Sequence, residues 1–287
     1  MIHSFNIAIV CNTLAGSGYS AHLTRQMQDL LESQQIPCTV FMDQWPDQFT
    51  GFTDVFILGG DGTLNHFINQ YPNISIPLSV FKGGSGNDFG WKLYGNLSFE
   101  AQVRRVLAAS PKMVDAGSCN GRLFLNGVGI GFDGEVVKSM GKKRFIAGHL
   151  AYLATVIRKI FFYREKVLEI EYNGQVEKDR YFMISIANGS RYGGGFMVAP
   201  QSVVDDGWLD LVIIRKIHPL KRLFYLPKVE KGKHITLPFV KTEKIKQVVI
   251  RATEPIPAHL DGELIECAEF SLEMLTGKFL FRGQKHV

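Results

Sequence analysis

The sequence is poor in cysteine, in charge of one sign and in long hydrophobic runs, and each shortage excludes a class of protein. Its four cysteines, Cys11, Cys38, Cys119 and Cys267, lie far apart with no CxxC pair. A zinc site or disulfide framework needs closer spacing, so a reducing, cytoplasmic setting is expected. The net charge of +5 over 287 residues is mild. It suits small anions or a membrane surface and falls short of the basic stripe that nucleic acid demands, so no nucleic-acid partner is expected. The longest apolar stretch, 145–163, is interrupted by Gly148, His149, Arg158 and Lys159, which predicts an amphipathic helix and no membrane span. The opening MIHSFNIAIVCN has no basic segment ahead of its short apolar run and does not read as a secretory signal. Low-complexity tracts and internal repeats are also missing. With 46% hydrophobic and 21% charged residues, the composition is that of a globular protein long enough for two domains.

What the chain has is glycine in clusters. Residues 54–58 (DVFIL) suit a strand buried on both faces of a parallel sheet, and the run stops at Gly59-Gly60-Asp61-Gly62-Thr63. Leu64, Phe67 and Ile68 then recur at helical spacing, so the segment predicts strand, glycine turn and helix N-terminus. Such a turn directs backbone N–H groups and the positive helix end outward, a ready phosphate site. Asp61 is out of place there, because a carboxylate repels phosphate unless a cation lies between them. Mg2+, held by one or two carboxylates plus phosphate oxygens, resolves the conflict; a plain helix cap is the competing reading.

Two more apolar runs, 6–11 and 76–81, end in turns of the same kind, residues 12–18 (NTLAGSG) and 83–88 (GGSGND). Neither is GxGxxG nor GxxxxGK[ST], which argues against the familiar dinucleotide and triphosphate loops. Ser85 is suited to hydrogen-bond a phosphate or adenine, and Asn87 and Asp88 to cap the helix that follows. With a strand at 38–42 and a helix starting at Ser98, the pattern predicts an α/β domain whose glycine turns share one sheet edge, where ligands bind.

From Lys112 short β-like segments dominate, at 112–119, 122–128, 167–172, 181–187, 209–214, 246–251 and 270–275, with turns such as Asn120-Gly121 and Asn173-Gly174 between them. The expectation is an α/β domain over 1–117 and a mostly antiparallel β-sandwich over 118–287, with the last residues packing back on the first domain. Asp115, at a strand end, is a third candidate acid or a simple turn residue. In the helix around 147–163, Phe145, Leu150, Tyr152, Leu153, Ile157, Phe161 and Phe162 read as an acyl-chain lining or as plain core. Nearby Lys138, Lys142, Lys143, Arg144, Arg158 and Lys159 read as headgroup contacts or as a solvated basic face.

The series GGDGTLN, GGSGNDF, VDAG, FLNGVGIGFDGEV, ANGSRYGGGFMVAP, DDGWLDL and HLDGE, in this order, resembles the bacterial diacylglycerol kinase-like lipid kinases, a group related to diacylglycerol and sphingosine kinases. The resemblance runs from about residue 6 to residue 265 and implies a nucleotide domain of the NAD kinase and diacylglycerol kinase type. It implies ATP contacts at Asn12, Thr13, Leu14, Ala15 and Gly16, at Gly59, Gly60, Asp61, Gly62, Thr63, Leu64 and Asn65, and at Ser85. Asp61 is the implied Mg2+-linked acid, with Asp88 and Asp115 in the network around the metal. Glu263 of the DGE motif is the implied base, and Val203, Asp206 and Trp208 an implied second, structural metal site. The implied partner is a membrane-derived lipid at the membrane surface, phosphorylated in a cleft between two domains, with a homodimer left open.

Three positions depart from that pattern. Thr13 stands where relatives carry Pro, and His66 where a Glu commonly follows GGDGTLN. A Thr found after the second strand, near the adenine, has no clear counterpart, and Asp43 aligns nearest. Two rivals follow: an NAD kinase-like enzyme, and a nucleotide-binding regulatory protein without catalysis.

Overall fold

Short strands buried on both faces alternate with helices through the first third of the chain. In this computed structural model residues 5–141 and 148–285 are described, without the side chains of 148–154. β1 (Ile7–Cys11) leads through α1 (Tyr19–Ser33) to β2 (Cys38–Met42). β3 (Asp54–Gly59), α2 (Asp61–Gln70), β4 (Leu78–Lys82), α3 (Asp88–Tyr94) and α4 (Phe99–Ala108) follow. Every residue of β1 and β3 is buried, as central strands between two helical layers require. The strands are parallel in the order β2-β1-β3-β4. The chain thus leaves β1 on one side, returns past it and continues on the other. That reversal between β1 and β3 is a topological switch point, where the carboxyl ends of the strands leave a crevice for ligands. Ser98 accepts a hydrogen bond from the Ala101 N–H at 3.3 Å and so caps α4, which ends before Pro111 as the sequence predicts.

β5 (Pro111–Cys119), β6 (Arg122–Phe124), β7 (Gly127–Gly131), α5 (Phe132–Met140), α6 (Gly148–Phe162) and β8 (Lys166–Tyr172) come next. β9 (Gln175–Ala187), β10 (Leu209–Arg215), α7 (Pro219–Glu230), β11 (Val240–Ile245), β12 (Gln247–Leu260) and β13 (Glu263–Arg282) complete the chain. Two compact units result: Met1–Val114 with Lys278–Val287, and Asp115–Gly277.

In the second unit the long strands β9 and β12 each serve twice. β12 pairs with β8 along Val248–Ala252 and with β7 along Ala258–Leu260, and β9 pairs with the same two strands, all antiparallel. The pairings close into a ring around a core that includes Ile130, Ile170, Ile184, Leu211, Ile250 and Phe270, the expected sandwich. The predicted strands 246–251 and 270–275 were too short. Pro255 and Pro257 suggest an end, yet they lie by a register shift between Arg251 and Ile256 that β12 passes through. On the outer side of β9 and β10, alternate residues such as Met183, Val212 and Ile214 pack against α5, α6 and α7 in a second core.

The C-terminal stretch belongs to the first unit, where Phe281 of β13 pairs in parallel with Leu78 of β4. Arg282 fixes it there: its Nε and Nη2 reach the two oxygens of Asp54 at 2.6 and 3.3 Å, and its Nη1 donates to the Ala109 carbonyl at 2.8 Å. Asp54 is only 1% exposed, so this fork compensates a charge that water does not reach. Arg282→Ala should therefore cost about 3–5 kcal/mol in a denaturant titration. A loss under about 1 kcal/mol, the value of a surface pair, would show that the bridge is dispensable.

Candidate active site

The three glycine turns meet, and their missing side chains are the reason. A Cβ on Gly84 would stand 2.4 Å from the Gly60 Cα, and one on Gly16 would stand 2.2 Å from the Gly83 carbonyl oxygen. Neither contact is with a flexible side chain, so any larger residue would force the turns apart. The N-terminus of α2 opens at this junction, with Gly60 as its N-cap and Asp61 in its first turn. A helix start of this kind, with its first-turn N–H groups and positive end, suits an anion.

Asp61 is held by another helix. Its Oδ2 accepts the Asp88 N–H at 2.8 Å and its Oδ1 the Phe89 N–H at 3.0 Å, so it caps α3 while standing at the head of α2. The capping reading of Asp61 is thus half right: the capped helix is α3. Asn87 completes the turn in a left-handed conformation, with its Oδ1 accepting the Gly84 N–H at 2.9 Å. Asp88 is buried next to Asp61, whereas Ser85 is exposed at the tip of the same turn. Thr63, Leu64 and Asn65 are buried within α2, so their side chains belong to the packing of that helix.

Two of the departures explain each other. Asp43 accepts the Thr13 N–H at 2.8 Å and the Thr13 hydroxyl at 2.6 Å. The Thr13 hydroxyl first, and then its amide, hold the Asp43 carboxyl below the usual carboxylate range. A proline at 13 has no N–H to give, so Thr13 and Asp43 form a latch that works only as a pair. Asn12 Oδ1 accepts the Leu14 N–H at 3.0 Å, leaving Leu14 exposed and Ala15 and Gly16 in the turn. His66 is exposed and lies against Trp45, with ring centroids 5.4 Å apart.

The remaining acids lie in the second unit. Asp115 accepts the Gly277 N–H and the Gly207 N–H, both at 2.7 Å, and its own N–H donates to the Val204 carbonyl at 2.7 Å. It ties three chain segments together there. In the DGE motif, Asp261 and Gly262 both have positive φ and form the two-residue turn between β12 and β13. The Asp261 carboxylate accepts the N–H groups of Leu125, Asn126 and Gly127 at 2.8–2.9 Å. Glu263 is therefore the first residue of β13, aimed by a turn fastened to β7.

Residues that sequence reasoning passed over surround that turn. The Tyr192 hydroxyl donates to Asp133 at 2.6 Å, and His259 stands edge-on to Tyr192 with its Nε2 3.9 Å from Asp133. Asp133 and Tyr192 also line a cavity whose other walls include Phe182, Phe196, Ile214, Tyr225 and Leu226. It leaves about 60 Å3 for the centre of a water-sized sphere, against the roughly 10–15 Å3 that one water needs. Burial pulls the pKa of His234 down, so it lines the cavity uncharged. A signal was present in GFDGEV and SRYGGG, where an acid and a tyrosine stand among glycines and apolar residues. Of the helix residues named as an acyl lining, Phe145 and the side chains of Leu150, Tyr152 and Leu153 lie outside the described residues. Ile157, Phe161 and Phe162 are exposed, while Val156 and Ile160 face the cavity.

Oxygen-rich Asp61 and Asp88 beside a phosphate cradle fit Mg2+, which takes few protein carboxylates and the rest of its ligands from phosphate and water. Among the described residues no group of three or more metal-binding side chains is present. The loop of Val203, Asp206 and Trp208 carries its own cation. Asp206 accepts the Trp208 N–H at 3.0 Å and the Lys244 ammonium at 2.8 Å, and Lys244 also meets Asp210 at 2.9 Å. Burial lowers the Lys244 pKa, but the bonds to Asp206 and Asp210 outweigh it and the net shift is upward. A divalent ion there competes with this ammonium. The melting temperature of the wild type should accordingly be indifferent to Mg2+ and chelator, while Lys244→Met should gain a Mg2+-dependent rise of a few degrees. A wild-type melt that drops on chelation would show a metal in the loop.

A parallel domain whose glycine turns meet at its switch point, with an antiparallel sandwich, is the fold of the diacylglycerol kinase and NAD kinase type. Residues 6–119 match the diacylglycerol kinase catalytic domain, and residues 126–277 the YegS C-terminal NAD kinase beta sandwich-like domain. The chain belongs to the diacylglycerol kinase-like lipid kinase family. It is 28% identical to a diacylglycerol kinase of Staphylococcus carnosus over 213 residues, covering 73% of this chain and 69% of that protein. Its fold is shared with a putative diacylglycerol kinase from Bacillus anthracis, at TM-score 0.81 and 23% identity over 97% of this chain and 95% of that one. An NAD kinase from Archaeoglobus fulgidus, solved in complex with ATP, matches at TM-score 0.55 and 14% identity, over 96% and 93% of the two chains.

Proposed function

We propose that the chain uses ATP and Mg2+ to phosphorylate a hydroxyl of diacylglycerol or a related lipid. The observation that carries the phosphate half is the junction of Gly16, Gly60, Gly83 and Gly84 at the switch point, with Asp61 locked beside it. Phosphoryl transfer asks a protein mainly for positioning and for neutralising charge. Backbone N–H groups of the turns and of the α2 N-terminus position the phosphates. Asp61, with Asp88 next to it, would hold Mg2+, which supplies neutralising charge on the phosphates. Glu263 accepts the proton of the lipid hydroxyl as its oxygen bonds to the γ-phosphorus, and ADP departs with the electrons of the broken P–O bond.

The lipid half is supported by the family and by the cavity in the second unit. A mostly apolar cavity with a few polar groups on its wall, Asp133 and Tyr192 hydrogen-bonded to each other and Arg222 and His234 beside apolar neighbours, suits a ligand that pairs a hydrocarbon chain with a hydroxyl. NAD, polar along its whole length, is a poor match for those walls.

Radiolabelled ATP offered with diacylglycerol, other membrane lipids and NAD tests the reading. Label should enter a lipid and not NAD; label on NAD alone would overturn it, and ATP binding without transfer would mark a regulatory protein. Asp61→Asn should lower turnover by on the order of a thousandfold or more. Glu263→Gln should lower it by about a hundred- to ten-thousandfold, with ATP binding retained. Near-normal turnover in either variant would remove that residue from the mechanism.

A further inference from the structure

The second unit exposes a hydrophobic surface that its own fold leaves uncovered. α7 is apolar on two faces. Arg222, Tyr225, Leu226 and Val229, at helical spacing, point to the cavity. Leu220, Leu223, Phe224 and Pro227, also at helical spacing, point away, and Leu220 and Phe224 are each 70% exposed. A helix that only closed a cavity would carry polar residues on its outer side. α6 repeats the pattern at its C-terminal end. Val156 and Ile160 line the cavity, whereas Ile157, Phe161 and the 80% exposed Phe162 face solvent.

One buried side chain fixes these two faces to each other. Arg222, 3% exposed, donates from Nη1 to the carbonyls of Ile160 and Tyr163 and from Nη2 to Glu165 at 2.6 Å. It satisfies carbonyls that the end of α6 leaves unpaired, and its positive charge suits that helix end. The exposed side chains around it thus belong to a rigid platform.

The charge around the platform is mainly positive. Between residues 216 and 233 stand Lys216, Lys221, Lys228, Lys231 and Lys233 against Glu230, apart from Arg222, which is buried and paired with Glu165. Arg158 and Arg164 flank the exposed residues of α6, and the Lys228 ammonium lies over the Phe224 ring at 5.7 Å. Two of the cations that sequence reasoning offered for headgroups are already engaged: Lys138 pairs with Glu266 at 2.6 Å and Lys159 with Glu135 at 3.4 Å. Lys142, Lys143 and Arg144 lie outside the described residues.

We propose that the outer faces of α6 and α7 dock on an anionic lipid bilayer, with Leu220, Phe224 and Phe162 entering the interface and Lys221, Lys228 and Arg158 meeting acidic headgroups. Apolar side chains on one helix face framed by Lys and Arg are what such an interface binds. A polar protein partner would leave Phe162 and Phe224 unmatched. Placement supports the lipid too: the helix resting on the bilayer is the helix that walls the cavity. The docking gains its purpose from the lipid-kinase reading, but its geometry does not depend on it.

The test is binding of the full chain to vesicles without ATP, using phosphatidylcholine alone and phosphatidylcholine mixed with phosphatidylglycerol. The wild type should bind the mixed vesicles in a salt-sensitive way. Leu220→Glu with Phe224→Glu should weaken that binding roughly tenfold or more, as should Phe162→Glu, with melting temperatures unchanged. Lys221→Glu with Lys228→Glu should remove the preference for phosphatidylglycerol. Equal vesicle binding by wild type and these variants would overturn the docking, even if the enzyme phosphorylates dispersed short-chain diacylglycerol. So would a wild-type dimer that the variants dissociate while their vesicle binding stays unchanged. A protein that binds vesicles through α7 and labels no lipid would sink the kinase reading and leave the docking standing.

Discussion

Everything the first unit offers a ligand depends on backbone touching backbone at Gly60 and Gly84. These residues approach so closely that a Cβ on Gly84 has no place to go. The gain is directional. When the turns after β1, β3 and β4 close on one another, their N–H groups and the start of α2 converge on one region at the switch point. A helix start and glycine turns gathered at a switch point are the arrangement in which such folds receive phosphate. Asp61 belongs to the same constraint, because its two bonds to α3 hold the third turn against the second. A residue expected for its charge is thus also a structural brace, and removing the charge while keeping the shape is the change that separates the two roles.

Much of this was legible in the sequence, for physical reasons that vary by element. β1, β3 and β4 were clear because a central parallel strand is apolar at nearly every position and must end abruptly at its turn. Asn120-Gly121 and Asn173-Gly174 were clear because a tight hairpin needs positive φ at both positions, and all four residues have it. α7 went unread because its apolar residues fall on two faces, which blurs the single stripe that betrays a surface helix, and because Pro227 stands inside it. The latch between Thr13 and Asp43 could not be read from either residue, since each looks like a departure until the other is placed beside it.

Aspartates show most plainly what sequence leaves open. Asp61, Asp206 and Asp261 sit next to glycine and Asp115 two residues before one, and in sequence they look alike. What separates them is the partner each oxygen finds. Asp61 meets two helix-start amides at the mouth of an anion site, and Asp261 meets three amides that lock a turn. Asp115 meets Gly207 and Gly277, joining loop to strand, and Asp206 meets an ammonium. Asp115 and Asp261 each tie segments of the second unit together, and the turn that Asp261 locks sets Glu263 at the start of β13.

The same logic of satisfied and unsatisfied surface bears on the second unit. Its sheet core is closed by the ring of β7, β8, β9 and β12, so α5, α6 and α7 are not needed to finish it. They pack on the outside and hold a cavity between themselves and the sheet. Helices added for stability alone would fill that space, since an empty apolar volume costs contact energy along its whole lining. Those around the cavity do the reverse, keeping an apolar void within and carrying apolar residues without. Both features are costs to a protein that handles only water-soluble ligands. Both become assets if the substrate is a hydrocarbon chain taken from a surface on which the same helices rest.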